Sequence, residues 1–380
     1  MRKYRLLILI LYVTLLITGC GFKDIDKRFF VVSMGIDQSE KSINSYIVTL
    51  KLAVPNTEPK RGESNFIMFT QESDNISQAV ALIKSKVDKE LDFSHLKVIL
   101  FDKKLASTDL RIPLDWPVRR RDIPMSTLIG IGTPSANATL GKKISFERAP
   151  SDALILSLDS TGTVTNYVTL QYLFDLERRR TELGLDPILP IIESDTSNKD
   201  GDINSRANSY TINKLALFEK KDSLKIKLIL NPEETKLYNL IAYSHNRVNF
   251  HVNSPQSNFI FDINNSKCKY TFETKDKDIS NINLKLTATG SIEETIGNLR
   301  INNIKRCEEE AEILLQGRIQ ALLEKIQSND VDPMGLGLHY RARHLNTYNY
   351  NEWDNWQNIY HTLRFNVQVD VKLKSTGLIK

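Results

Sequence analysis

LRFNVQVDVKLK, residues 363–374, alternates apolar and polar side chains along its whole length. Leu363, Phe365, Val367, Val369, Val371 and Leu373 fall on one side of an extended chain. Arg364, Asn366, Gln368, Asp370, Lys372 and Lys374 fall on the other. A period of two marks a strand with one dry face and one wet face, because successive Cβ atoms point to opposite sides of the pleat. Upstream, Ile282, Leu284, Leu286 and Ala288 alternate in the same way with Asn283, Lys285, Thr287 and Thr289. Leu224, Ile226, Leu228 and Leu230 form a third alternating run. Such strands predict an antiparallel sheet with one solvated face. Between them the period changes to that of a helix, from about Asn303 to Gln327. Its apolar stripe is Ile304, Cys307, Ala311, Leu314, Leu315, Ile319, Leu322 and Ile326. Glu308, Glu309 and Glu310 lie early in it, near the positive end of the helix dipole. The stretch holding Tyr348, Tyr350, Trp353, Trp356 and Tyr360 reads as an amphipathic helix packed on the last strand, with a partner-binding surface as the alternative.

The first half mixes helix and strand. Arg28 to Asp37 and Tyr46 to Val54 read as two strands joined by a turn, Leu96 to Phe101 as a buried strand and Ser126 to Thr133 as another. Ile76, Ala79, Val80, Ile83 and Val87 share one face of a helix over Asp74 to Glu90, with Ser73 or Asp74 as its N-cap. Val168 to Leu183 reads as a helix with a basic face. Glu193 to Ser209 (ESDTSNKDGDINSRANS) is polar without periodicity, the pattern of a linker or long exposed loop. The expected fold class is α+β, built as two to three domains with mixed and antiparallel sheets and packed helices. The expected division is a signal segment over 1–19, an N-terminal domain over 20–192, a linker over 193–209 and a C-terminal α+β domain over 210–380.

The first twenty residues set the compartment. Arg2, Lys3 and Arg5 precede a nearly unbroken apolar run from Leu6 to Ile17, and Thr18-Gly19-Cys20 closes it. About 12 apolar residues are too few to span a bilayer of ~30 Å as a helix. They suit the core of an export signal. Ile17-Thr18-Gly19-Cys20 resembles a bacterial lipobox, in which the Cys20 thiol takes up a diacylglyceryl group before cleavage. The alternative is a plain secretory signal with a chance cysteine. Two acyl chains hold a protein stably where one binds marginally. About 360 residues remain after removal of the signal, enough for more than one core. The formal charge falls from +5 to +2 with the loss of Arg2, Lys3 and Arg5, so nucleic-acid binding is not implied. Cys268 and Cys307 can pair or remain thiols. The place of Cys307 on an apolar helical face favours a buried thiol.

Catalytic and metal signals are weak. Ser94-His-Leu-Lys97 matches the Ser-x-x-Lys element of penicillin-recognising enzymes. However, Ser73-Asp74-Asn75 precedes it instead of following it, Lys374-Ser-Thr-Gly377 is interrupted by a serine, and Ser94 runs into a strand. Asn198, Asp200, Gly201 and Asp202 hint at a calcium loop. Thr196 and Ala207 stand where its first acid and its bidentate glutamate belong. His339 and His344, at i and i+5, share no helical face, and no zinc spacing or phosphate cradle is present. No cofactor, no metal site and no catalytic residue is expected. Two arginine triplets remain, Arg119-Arg120-Arg121 and Arg178-Arg179-Arg180. They read as ion-paired or solvated side chains. For a tethered protein, Arg119, Arg120 and Arg121 can instead meet a partner or lipid headgroups.

Taken together, these pieces resemble the Ger(x)C family, the C subunits of spore germinant receptors. Cys20-Gly-Phe-Lys-Asp-Ile-Asp26 is similar to the family's Cys-Trp-Asp start, with Phe22 in place of tryptophan. Val31-Val-Ser-Met-Gly-Ile-Asp37, His95-Leu-Lys-Val-Ile-Leu-Phe101 with Leu105-Ala106, and Arg119 to Pro124 are similar to its first half. Leu215-Ala-Leu-Phe218, Leu230-Asn-Pro-Glu-Glu234, Asp332-Pro-Met-Gly-Leu-Gly337, Trp353, Trp356, Val367-Gln-Val-Asp-Val371 and Gly377 resemble its second half. The resemblance implies a non-enzymatic lipoprotein of three small α+β domains on the outer face of the spore inner membrane. It further implies assembly with multi-spanning A and B subunits and a response to small nutrients, with Cys20 as the one chemically defined site. The competing reading is a solute-binding lipoprotein of a transporter. A cell-wall enzyme stands third.

Overall fold

The computed structural model describes Lys3, Arg5 and residues 27–42, 44–53, 66–142, 152–158, 166–194, 209–244, 247–255, 257–275, 278–296, 304–343 and 356–374. Two sheets carry the fold. The first is mixed, with nine strands: β1 (Arg28–Gln38), β2 (Tyr46–Ala53), β3 (Phe66–Ser73), β4 (Glu90–Asp92), β5 (Val98–Asp102), β6 (Leu128–Thr133), β7 (Ile188–Ser194), β8 (Tyr210–Glu219) and β9 (Lys225–Leu230). Their order is β3-β2-β1-β5-β6-β7-β8-β9, with β4 added beside β1. β1, β5, β6 and β7 run parallel at its centre. Val98 to Asp102 is buried at every position. That explains its unbroken apolar run, since a parallel strand is covered on both faces.

The covers are short helices. α1 (Ile76–Lys84), α2 (Lys103–Ala106), α3 (Arg111–Arg119) and α6 (Leu173–Thr181) lie over one face; α4 (Ala136–Gly141) and α5 (Asp152–Leu158) lie over the other. α1 starts two residues later and ends six residues earlier than the periodicity over Asp74 to Glu90 predicts, and Glu90 instead opens β4. Asn75, not Ser73 or Asp74, is its cap and accepts from the Gln78 amide at 2.8 Å. Asp74 is committed elsewhere, accepting the Ser45 hydroxyl at 2.6 Å. α6 also starts late, because residues 171–172 run alongside β6. The Ile129 amide donates to the Gln171 carbonyl at 3.0 Å, and Tyr172 bridges Leu128.

β8 pairs antiparallel with β7, Ile188 opposite Leu217 and Ser194 opposite Tyr210. The strands after the polar stretch therefore complete the first sheet, and the change of sheet falls between β9 and β10. α7 (Pro232–Tyr243) spans that change. It is started by a capping box between Asn231 and Glu234 with Pro232 in the first turn. Its Leu237, Tyr238, Leu240 and Ile241 belong to one core that joins Ile188, Leu215, Leu217 and Leu230 of the first sheet to the second.

The second sheet has the order β10 (Val248–Asn253), β11 (Asn258–Lys275), β12 (Asp278–Thr295) and β13 (Arg364–Leu373). Its first three strands are antiparallel. β13 instead runs parallel to β12, because the chain between them turns back through α8 (Ile304–Ser328) and α9 (Leu336–Arg343). The dry face of β13 is buried as its alternation predicts and packs on α8. Cys307, Ala311, Leu315, Ile319, Leu322 and Ile326 of α8 are buried, Leu314 is half-buried, and Ile304 is exposed. Glu308 and Glu312 do more than suit a dipole. They accept the amides of Leu373 at 2.8 Å and Val371 at 2.9 Å, capping part of the outer edge of β13. Trp356 and Tyr360 are buried in the same core, while residues 344–355 lie outside the described set.

Candidate functional site

Parallel strands gather the segments that precede them at one end of a sheet. Here those segments are residues 92–97, 120–127 and 185–187, which lead into β5, β6 and β7, together with Lys27 before β1. The first arginine triplet sits on this end. α3 stops at Arg119 because Arg120 is extended (φ −82°, ψ 124°). Arg119 pairs with Asp115 at 2.7 Å, one turn back. Arg120 Nε donates to Asp122 at 2.8 Å, and its guanidinium lies 4.7 Å from the Phe93 ring and 4.9 Å from Trp116. Arg121 is exposed and pairs with no acid among the described residues. The triplet thus divides: two arginines are tied into the surface and one is free to meet another molecule.

The same end holds Ser94 of the Ser-x-x-Lys match. The Ser94 hydroxyl donates to Asp92 at 2.5 Å, and its amide donates to the same oxygen at 2.9 Å, a local turn. Asp92 also accepts from Arg28 at 2.7 Å, and these bonds hold its carboxyl below the usual range despite its burial. A cleft of about 350 Å³ here is lined by Arg28, Glu90, Leu91, Asp92, Ser94 and Asp122, without Lys97. The serine and lysine of the Ser-x-x-Lys match therefore do not share this cleft, and the Ser94 hydroxyl is bound up in a local turn with Asp92. At the opposite end of the sheet, a cleft of about 450 Å³ is lined by Thr133, Pro134, Glu193, Ser194 and Thr211. Its one charged lining residue, Glu193, is paired with Lys214 at 2.8 Å.

The second arginine triplet takes a different course. Leu173, Leu176 and Arg179 form the buried face of α6, so Arg179 enters the interior while Arg178 and Arg180 stay at the surface. Arg179 donates to the carbonyls of Asp186 at 2.9 Å and Pro333 at 3.0 Å, and to the Tyr243 hydroxyl at 3.0 Å. It belongs to a charged junction between the two sheets. The Asp332 amide donates to Asp186 at 2.6 Å, and the Asp186 amide donates back to the Asp332 carbonyl at 2.8 Å. The Asp332 carboxylate accepts the amides of Leu336 at 3.0 Å and Gly337 at 2.7 Å. Lys220 lies 3.8 Å from Asp186 and donates to the carbonyls of Arg179 at 2.7 Å and Leu185 at 2.5 Å. Tyr238 and Tyr360 donate to Pro333 and Val331. Two buried carboxylates thus face the cationic side chains of Arg179 and Lys220. Burial is the main cause of each shift: it pushes Asp332 up to about 7 and Asp186 up, and it pulls Lys220 down.

Close backbone contact makes this junction possible. Gly184 has φ +87°, and a Cβ there would lie 2.5 Å from the Gly337 carbonyl carbon. A Cβ on Gly337 would lie 2.7 Å from Trp356 Nε1. The Leu338 amide donates to the Gly184 carbonyl at 3.1 Å, and Arg341 pairs with Glu182 beside it. Asp186 and Lys220 carry no motif, and no sequence signal singles them out. The signal that was present is the Leu173, Leu176, Arg179 spacing.

Other sequence candidates fall out as follows. Asp37 is buried and accepts the amides of Ala136 at 2.6 Å and Asn137 at 2.9 Å. Burial lifts its pKa to about 6, and it ties β1 to α4. Cys268 and Cys307 are free thiols, and burial pushes Cys268 up to about 12. His339 stacks edge-on against Tyr270 at 4.8 Å. Cys20, the 196–207 stretch, His344 and Trp353 lie outside the described residues. Among the described residues no cluster of His, Cys, Asp or Glu can hold a metal, and no helix is long and apolar enough to cross a membrane.

Comparison with known proteins covers most of the chain. Residues 21–194 match the family described as spore germination protein N-terminal domain. Residues 213–377 match the family described as spore germination B3/GerAC like, C-terminal. The chain is 22% identical over 328 residues to the spore germination protein GerQC of Bacillus cereus, which covers 83% of this chain and 84% of that protein. Its fold is similar to the crystal structure of the GerBC protein, with a TM-score of 0.56 at 16% identity, over 90% of this chain and 96% of that one. With both family domains matched in order along the described fold, this chain belongs to the Ger(x)C family of spore germination proteins.

Proposed function

We propose that the chain is the lipid-anchored C subunit of a nutrient-responsive spore germinant receptor. In this reading Cys20 carries the lipid on the outer face of the spore inner membrane, and the folded part works by contact with multi-spanning A and B subunits. The observation that carries it is the position of the family match. The N-terminal family domain begins at residue 21, one residue after the lipobox cysteine, and the two domains together account for nearly all of the chain beyond it. The charged junction supports a structural and binding role: Arg179, Asp186, Lys220 and Asp332 are bonded to one another and to backbone. Tethering confines such a subunit to the membrane plane and raises its effective concentration beside membrane partners.

The test is an affinity pull-down of tagged protein from detergent-solubilised spore inner membrane, read by mass spectrometry. Two multi-spanning proteins in near-equal amounts is the expected result. A permease with an ATPase would move the chain to the solute-binding alternative, and recovery of the chain alone would contradict a receptor subunit.

A further inference from the structure

Lys27, which immediately precedes β1, lies seven positions beyond Cys20. An extended chain advances about 3.5 Å per residue, so Cys20 lies within about 25 Å of Lys27 whatever path the link takes. A surface that holds an acyl group on Cys20 is therefore close to the end of the first sheet that carries the first arginine triplet. That end also leaves apolar side chains in water. Met125 is 38% exposed and Phe174 46% exposed. The Phe174 amide donates to the Met125 carbonyl at 3.0 Å, which sets the two residues side by side. Tyr172 stacks on Phe174 at 5.5 Å between ring centroids. Arg121 lies four residues before Met125, and the exposed Arg178 lies one turn beyond Phe174, its nearest acid, Asp175, at a long 3.9 Å.

Exposed aromatic and thioether groups flanked by arginines suit the headgroup layer of a bilayer: the apolar tips enter it while the guanidiniums stay at the phosphates. The acids closest in sequence to this edge, Asp115, Asp122, Asp175 and Glu177, sit against Arg119, Arg120, Arg178 and Arg180, and Asp92 of the neighbouring cleft sits against Arg28. They leave Arg121 as the free cation of the patch among the described residues. We propose that this edge, built from Arg121, Met125, Phe174 and Arg178, rests on an anionic lipid surface and fixes the orientation of the tethered body. The inference takes from the lipid-anchor reading only the closeness of the membrane.

Its test does not use the anchor. Mature-length protein beginning at position 20, with Cys20→Ala and without the apolar export segment, is mixed with sedimentable vesicles, at millimolar lipid, of phosphatidylcholine with or without 30% phosphatidylglycerol, alongside Met125→Ser/Phe174→Ser, Arg121→Glu and Ile313→Ser variants. Ile313 is 73% exposed on α8 and serves as the control. Binding to the phosphatidylglycerol vesicles is expected, with a loss of at least fivefold in Met125→Ser/Phe174→Ser and about threefold in Arg121→Glu. Ile313→Ser should leave binding unchanged, and all variants should keep the parent's melting temperature. No vesicle binding by the parent, equal binding by the double variant, or an equal loss in Ile313→Ser would each overturn the proposal. An unacylated Cys20 in native membranes would instead remove the anchor and leave this result standing.

Discussion

The two arginine triplets, nearly indistinguishable as sequence, end in opposite surroundings. Arg179 is buried, gives its guanidinium to two carbonyls and a hydroxyl, and together with Lys220 balances the charge of Asp186 and Asp332. Arg121 is exposed, four residues before exposed Met125. The difference is one of helical phase. Arg179 follows Leu173 and Leu176 by steps of three on the inner face of α6, whereas Arg121 lies in the turn just beyond the end of α3, with its side chain exposed. Burial turns the first into a structural bolt between sheets. Exposure leaves the second available to another molecule.

The contrast breaks most sharply at the bolt. Arg179→Ala would leave two buried carboxylates facing one lysine, at an expected cost of about 3–5 kcal/mol in urea unfolding. Arg121→Ala should change the same measurement by no more than about 0.5 kcal/mol. Equal effects would erase the distinction. Gly184→Ala comes next. Its Cβ would collide with the Gly337 backbone at a left-handed φ, and a loss of about 2–3 kcal/mol is expected from melting curves. A change within error would mean the two loops are not in contact.

A finer test is pH. Folded Asp332 keeps its proton to about 7, while the unfolded chain releases it near 3.8. Between those values the native state binds more protons, so this group's contribution to stability falls as pH rises and levels off above about 7. The urea midpoint should therefore drop from pH 5 to pH 7.5, and Asp332→Asn should flatten that drop. A rise in midpoint that persists unchanged in Asp332→Asn would contradict the buried placement.

Much of the fold was legible where one physical rule dominated. Period-two alternation located β13 and the β12 core, and period 3.6 located α8 to within a residue. The direction of β13 was not legible, because alternation carries no information on whether a neighbour runs parallel. Nor was the membership of β8 and β9 in the first sheet, since pairing across a polar stretch depends on distant partners. The junction was half-visible: Asp332-Pro-Met-Gly-Leu-Gly337 stood out, but its partners Asp186 and Lys220 are single residues brought in from 146 and 112 positions away. The arginine edge was named as a triplet and became a patch only once Phe174 was placed beside Met125.

The central claim is that this body works from a lipid tether at Cys20. Its most direct test is Cys20→Ala in spores, read by membrane fractionation and by nutrient-triggered germination. The account predicts release of the protein from the inner-membrane fraction and loss of the nutrient response; full retention with a normal response would contradict it.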